Sequence, residues 1–197
     1  MFAIAIPCQR QAWIKEKTKD AGNMISTHVK SETPSMLDPE SLIQRLIASK
    51  AAEPHQIQGC SESEIKRVCE ASRLSLPESY LDFLRAVGKG AGRFMCEVDQ
   101  YYDAMLNLNT EAEDTLEIFE EGKLSLPENA YVFSMRYGEQ FLFFVADGIN
   151  DNPPIFYYYE DNGVFTDLTK SFWEVIETEL IEWEDYFRNY GDDPNFF

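Results

Sequence analysis

The stretch from Ala130 to Tyr159 constrains the fold more than any other, because three runs rich in Tyr, Phe and Val lie there with only short turns between them. The runs at 130–135, 139–146 and 154–159 have strand composition, and Arg136-Tyr137-Gly138 and the segment Asp147 to Asn152 supply turn chemistry. Asn162-Gly163 then marks a tight hairpin into Val164-Phe165-Thr166. Strands joined this closely pair most simply as an antiparallel sheet. In the third run Ile155, Tyr157 and Tyr159 alternate with Phe156 and Tyr158, so both faces are aromatic; one suits packing on helices and the other is only partly covered.

Ahead of Leu126-Pro127 the period is helical. Asp38-Pro39-Glu40 gives an N-cap, a first-turn proline and a first-turn acid to a helix whose Leu42, Ile43, Leu46 and Ile47 face inward. Ser61-Glu62-Ser63-Glu64 is a capping box that opens a second helix with Ile65, Val68 and Cys69 inside. In the third, Pro77 fits the first turn, Leu76, Tyr80, Phe83, Leu84 and Val87 share one face, and Gly88 ends the helix in a conformation that other residues adopt only at a cost. Asn109-Thr110-Glu111 caps a very acidic fourth helix that runs to Glu121 and closes on Gly122, with Leu116, Ile118 and Phe119 as its few apolar contacts. A final helix sets Leu168, Phe172, Ile176, Leu180, Trp183 and Phe187 on one stripe. Leu74 to Glu78 recurs as Leu124 to Glu128, yet a helix follows the first copy and a strand the second, so this is no duplicated unit.

The expected class is therefore α+β, an antiparallel or mixed sheet with helices packed on one side. A length of 197 residues at 44% apolar content suits one full core. Residues 1–36 read as a polar, weakly ordered N-terminal extension, 37–190 as a single α+β domain and 191–197 as a frayed acidic tail.

The pattern Leu76-Pro77-x-x-Tyr80-x-x-Phe83-Leu84 followed by Val87-Gly88-x-Gly90 resembles the SUKH superfamily, also called the Smi/Knr family. Leu126 to Phe133, Gln140 to Ala146, Asn152 to Tyr159 and Leu168 to Ile176 fall in the same order as in that family, so the resemblance spans about residues 60 to 185. The chain departs from the family pattern between Gly90 and Leu108 and over its first 35 residues. Many bacterial members are immunity proteins against secreted toxins, often nucleases. The resemblance thus implies a protein that binds a cognate toxin domain and blocks its active site or substrate groove. The superfamily also includes a fungal regulator of cell-wall synthesis that works as a scaffold, and a regulatory adaptor is the second expectation.

Charge bears on the partner. Of the net charge of −18, residues 106–197 carry −17, whereas residues 1–30 carry +3. Such a field repels nucleic acid, which proteins bind by neutralising phosphates with Lys and Arg. It attracts a basic protein and speeds encounter with it. A nuclease presents a basic phosphate-binding surface, and an acidic inhibitor can occupy it as a phosphate mimic.

The inventory for catalysis is thin. Only His28 and His55 are present, and Gly88-Lys89-Gly90-Ala91-Gly92 follows a helix and lacks the Lys-Ser/Thr ending of a phosphate loop. Asp147, Asn150 and Asp151 miss the spacing of a calcium loop. Cys8, Cys60, Cys69 and Cys96 form no C-x-x-C pair and read as reduced thiols of a cytoplasmic protein. The opening Met1 to Pro7 is too short an apolar run for a signal peptide, and no membrane span is expected. No cofactor, metal or catalytic residue is expected. The expected contact lies on the sheet end and turns, with Glu139, Asp147, Asp151, Glu160 and Asp161 supplying charge and Tyr102, Tyr137 and Tyr158 as aromatic anchors.

Overall fold

The period change at Leu126-Pro127 is also where helices give way to sheet. A computed structural model of the chain describes residues 37–190; the N-terminal extension with His28 and Cys8, and the tail 191–197, lie outside them. In chain order the elements are α1 (Pro39–Ala48), β1 (Ile57–Gln58), α2 (Glu62–Ser72), α3 (Glu78–Val87), β2 (Gly90–Ala91), α4 (Tyr102–Met105) and α5 (Leu108–Glu120). There follow β3 (Ala130–Arg136), β4 (Gln140–Val145), β5 (Pro154–Tyr159), β6 (Val164–Ser171) and α6 (Phe172–Tyr190). The last four strands form one sheet in the order β3-β4-β5-β6, antiparallel at every step, and β1 and β2 form a small antiparallel pair.

Local chemistry sets the helix starts. Asp38 caps α1 by accepting from the Ser41 N–H at 2.9 Å, and its carboxyl is held below the usual carboxylate range by that bond. Ser61 and Glu64 form the capping box of α2. The Glu64 carboxyl, bonded also to Lys89 at 2.9 Å, is held down at about 2, chiefly by that lysine. Tyr80, Phe83, Leu84 and Val87 of α3 are buried as expected, and so is Leu76, which stands ahead of the helix with Pro77 at the N-cap.

Gly88 differs from expectation. Its φ of −60° is ordinary helix, so no left-handed turn explains it. A β-carbon there would stand 2.6 Å from the Leu84 carbonyl oxygen and 2.7 Å from the Cys60 sulfur, so glycine is needed for close packing.

Two aromatic clusters fill the two faces of the sheet. Phe143 and Phe144 are neighbours in β4 and point to opposite sides. On the Phe144 side, Tyr131 and Phe133 of β3 join Tyr80 of α3 and Phe172 of α6, with ring centroids 5.2 to 6.2 Å apart. Tyr131 and Phe133 share this face by ordinary alternation, and a bulge between Val132 and Ser134 shifts the register of the residues beyond them. The alternation expected for β5 holds, with Phe156 and Tyr158 stacked on Phe143 and Phe141, while β6 carries the extra residues where the register shifts between Pro154 and Phe156. On the Phe143 side, Phe141, Tyr158 and Phe165 stack within 4.8 to 6.4 Å. The class is thus α+β with α3 and α6 on one face, and with one addition. The C-terminal end of α5 reaches the other face, where the Tyr158 hydroxyl donates to Glu120 Oε1 at 2.8 Å.

Helix α5 also closes an edge. Asn109, expected at the cap, lies inside the helix; its amide donates to the Ala130 carbonyl at 2.8 Å and accepts from the Val132 N–H at 2.9 Å. One side chain satisfies two backbone groups on the free edge of β3. The residues of α5 that are buried are Leu108, Ala112, Thr115 and Leu116, whereas Ile118 and Phe119 are exposed. Leu168 likewise leaves the predicted C-terminal helix and sits in β6, because α6 begins only at Phe172.

Candidate functional site

Antiparallel pairing sends the two kinds of connection to opposite ends of the sheet, about 20 Å apart along a six-residue strand. The β3–β4 turn and the β5–β6 turn share one end, and the β4–β5 loop occupies the other.

At the first end two hairpin turns are joined by the Glu160 N–H, which donates to the Glu139 carbonyl at 3.1 Å. Tyr137 stands at the apex of its turn with φ +54° and 66% of its surface exposed. A tyrosine in the left-handed region is sterically costly. The Arg136 guanidinium lies 5.4 Å from the Tyr137 ring and 3.4 Å from the Glu97 carboxylate, which tethers it. Glu139 and Asp161 are exposed, and Glu160 is half-buried with its Oε2 enclosed and unbonded. Loss of water raises the Glu160 carboxyl above the usual range, and the nearby Glu139 and Asp161 carboxylates raise it further. Tyr159 donates to Asp161 Oδ2 at 2.7 Å and is pushed up to about 12 by that bond. Tyr157 donates to Gln140 Oε1 at 2.9 Å.

Helix α5 completes this end. The Thr115 hydroxyl shares its one proton between the Glu111 carbonyl of its own helix at 2.8 Å and the Gly138 carbonyl of the first turn at 2.9 Å, and a β-carbon on Gly163 in the second would come within 3.2 Å of Glu120. Ile118 is 70% exposed and Phe119 47%. Phe119 follows Thr115 by one helical turn on the same stripe, so it carries that stripe past the point where the sheet stops.

The other end is stitched to the helices. The Asp151 carbonyl accepts from the Ser79 N–H at 2.9 Å, the Asn152 side chain accepts from the Trp173 N–H at 3.2 Å, and the Pro153 carbonyl accepts from the Phe172 N–H at 3.0 Å. The Asp147 carboxylate accepts from the Ile149 and Asn150 amides at 2.8 and 2.9 Å, which holds its carboxyl below the usual range. At the tip Ile149 is 87% exposed.

The eight residues singled out from the sequence therefore separate. Tyr137, Glu139, Glu160 and Asp161 converge on the turn end, and Asp147 and Asp151 lie on the loop end. Tyr102 starts α4, its N–H donating to the Gly88 carbonyl at 2.8 Å, and packs against the core with an enclosed hydroxyl. Tyr158 is fully buried, so core packing accounts for it. Sequence reasoning missed Ile118 and Phe119 as surface residues, and it left open which face of the third run is the partly covered one, without counting Tyr157 or Tyr159 as contacts. The run of acids around Ile118 was the available signal.

Little else offers chemistry. A cavity of about 160 Å³ between α2, α4 and α5 is lined by Val68, Leu74, Met105 and Leu106 together with Ser72, Asn109, Thr110 and Tyr131, of which Asn109 is engaged with the β3 edge, Tyr131 with Tyr80 and Ser72 with the Cys69 carbonyl. His55 is exposed in the turn Pro54–Gln56, 3.3 Å from Glu53. Among the described residues no His, Cys, Asp and Glu cluster has the geometry to hold a metal ion, and no helix is long and apolar enough to cross a membrane. A family model described as SMI1 / KNR4 family (SUKH-1) matches residues 59–178, more than half of the chain, from just ahead of the α2 capping segment through the whole sheet into α6. A search of curated proteins finds no match.

Proposed function

The chain belongs to the SMI1/KNR4 family (SUKH-1), and from that premise we propose that it acts by binding a protein, as an immunity protein that neutralises a cognate toxin domain in the cytoplasm. The contact in this reading is the turn end. The observation that carries it is the junction of two hairpin turns, which sets exposed Tyr137 among Glu139, Glu160 and Asp161, with the Arg136 guanidinium beside its ring. An exposed aromatic ringed by carboxylates suits a basic surface such as the phosphate-binding face of a nuclease. The ring supplies the buried anchor and the acids steer the encounter. Holding Tyr137 in a costly backbone conformation is consistent with a residue kept for contact. No step of this reading uses a cofactor, a metal or catalysis by the chain.

The test titrates the full chain with the toxin-like C-terminal domain of the neighbouring gene product, at low and high salt, with residual toxin activity read alongside. Tight binding weakened by salt, with toxin activity abolished, is the expected result. Glu139→Lys with Asp161→Lys should slow association by about tenfold or more, while Asp147→Lys with Asp151→Lys should change it little. Equal effects from both pairs would remove the turn end from its special place, and no binding would remove the immunity reading.

The loop end favours a second reading. A fixed loop that presents Ile149 with two flanking aspartates is a second surface about 20 Å from the first, which suits an adaptor that holds two partners. A gene standing apart from any toxin gene, with two proteins captured at once, would support the adaptor.

A further inference from the structure

The outer surface of α5 is unusual for a helix packed on a sheet edge. Between Leu108 and Glu120 it carries no Lys, Arg or His, and Glu113, Asp114 and Glu117 have no ion-pair partner among the described residues. A solvated acidic face would account for the carboxylates alone. It does not account for Ile118, 70% exposed in their midst, or for Phe119 beside it at 47%. Adjacent exposed apolar side chains rimmed by charged residues have the make-up of an interaction site.

Position strengthens the point. Thr115 is bonded to the β3–β4 turn and Glu120 to Tyr158 beneath the β5–β6 turn, so the end of α5 is fixed at two places against the surface that holds Tyr137. The patch is rigid before any partner arrives, which lowers the entropic cost of docking.

We infer that Ile118 and Phe119 extend the turn end into a docking surface for a protein segment that carries an apolar side chain flanked by lysines or arginines. This rests on the protein-binding reading above and adds the partner's local chemistry to it. Complementarity argues for that occupant: the surrounding carboxylates favour cations, and the two apolar residues reward an apolar side chain that a purely ionic ligand lacks. A second copy of this chain would bring the same acids to the same place, and like charges would oppose it.

The experiment needs no cognate partner. The full chain is titrated with two fluorescent 18-residue peptides of equal positive charge, one of Lys, Leu and Trp in amphipathic order and one with Ser in place of Leu and Trp. The amphipathic peptide should bind about tenfold tighter or more, as burial of one or two apolar side chains implies. Ile118→Ser with Phe119→Ser should erase that difference while leaving the salt dependence and, since both residues are exposed, the melting temperature in place. Equal affinity for the two peptides would overturn the inference, as would a preference that survives the double substitution. Self-association that this substitution abolishes in sedimentation would assign the patch to a second copy and overturn it too. Failure here leaves the toxin titration free to succeed, because the charge reversals at Glu139 and Asp161 lie outside α5.

Discussion

The two ends of one sheet solve opposite problems. At the loop end the Asp151 and Pro153 carbonyls and the Asn152 side chain are bonded to the first turns of α3 and α6, so the connection serves as the joint between sheet and helices. At the turn end the two hairpins bond chiefly to one another and to the tip of α5, and they leave an unfavourable tyrosine conformation, an enclosed carboxylate oxygen and two exposed apolar residues in place. Substitution at a joint should be paid in stability, whereas substitution at the other end should show itself in binding. The comparison can be broken by measuring which end does which.

The largest effect is expected beneath the loop end. Phe172 is fully buried where α6 leaves β6, and its ring meets Tyr80, Phe83, Phe133 and Phe144. Phe172→Ala should cost about 4 kcal/mol, from lost burial and the cavity left behind, read as a shift in the urea midpoint. A cost below about 1 kcal/mol would mean the helices are not held to the sheet here. Next comes Asn109→Ala, which leaves the Ala130 carbonyl and Val132 N–H without their partner and should cost about 2 to 3 kcal/mol. It should also loosen α5 from the β3 edge, so hydrogen exchange at the Val132 amide should rise with it.

These contrasts were partly legible in the sequence. Capping at Asp38 and Ser61, the apolar stripe of α3 and the strand composition from Ala130 onward are local signals, and the elements they mark form where expected. Asn109 was not legible in the same way. An asparagine near a helix start reads as a cap, and only the arrival of β3 beside it creates the two backbone groups it satisfies. Tyr158 and Tyr137 show the same limit on the site: one is a strand tyrosine and the other a turn tyrosine, and both read alike as candidate anchors. Burial of one and exposure of the other depend on α5 and on a turn geometry that pattern alone does not rank. The bulge after Val132 shifts the later residues of β3 between faces, so strict alternation misassigns Ser134 to Arg136, whereas β5 keeps the alternation its sequence shows.

A smaller effect, of opposite sign, is expected at Tyr137. Glycine adopts its φ of +54° without the steric penalty, so Tyr137→Gly should gain up to about 1 kcal/mol against the freedom glycine adds to the unfolded chain. The same change should weaken partner binding about tenfold if the exposed ring is an anchor. Loss of stability would show that the ring's contact with Arg136 serves the fold, and the two ends would then differ less than their hydrogen bonding suggests.

The smallest effect lies at Glu160, and its pH dependence separates structure from surface charge. Folding disfavours the ionised carboxylate there, chiefly through loss of water and then through Glu139 and Asp161, so its folded value lies above the ordinary 4.5. Below 4.5 the acid is protonated in both states and carries no penalty. As pH rises above that value the unfolded chain ionises first, and the folded state loses stability until the folded value is passed. Glu160→Gln removes the ionisation, so its melting temperature should match the parent at low pH and exceed it at neutral pH. The sign would reverse if Glu160 were instead a paired, stabilising acid. A gain at neutral pH accompanied by weaker binding of a basic partner would mean that this end keeps an unfavourable carboxylate in place for contact, and a gain without any change in binding would leave it as strain with no use.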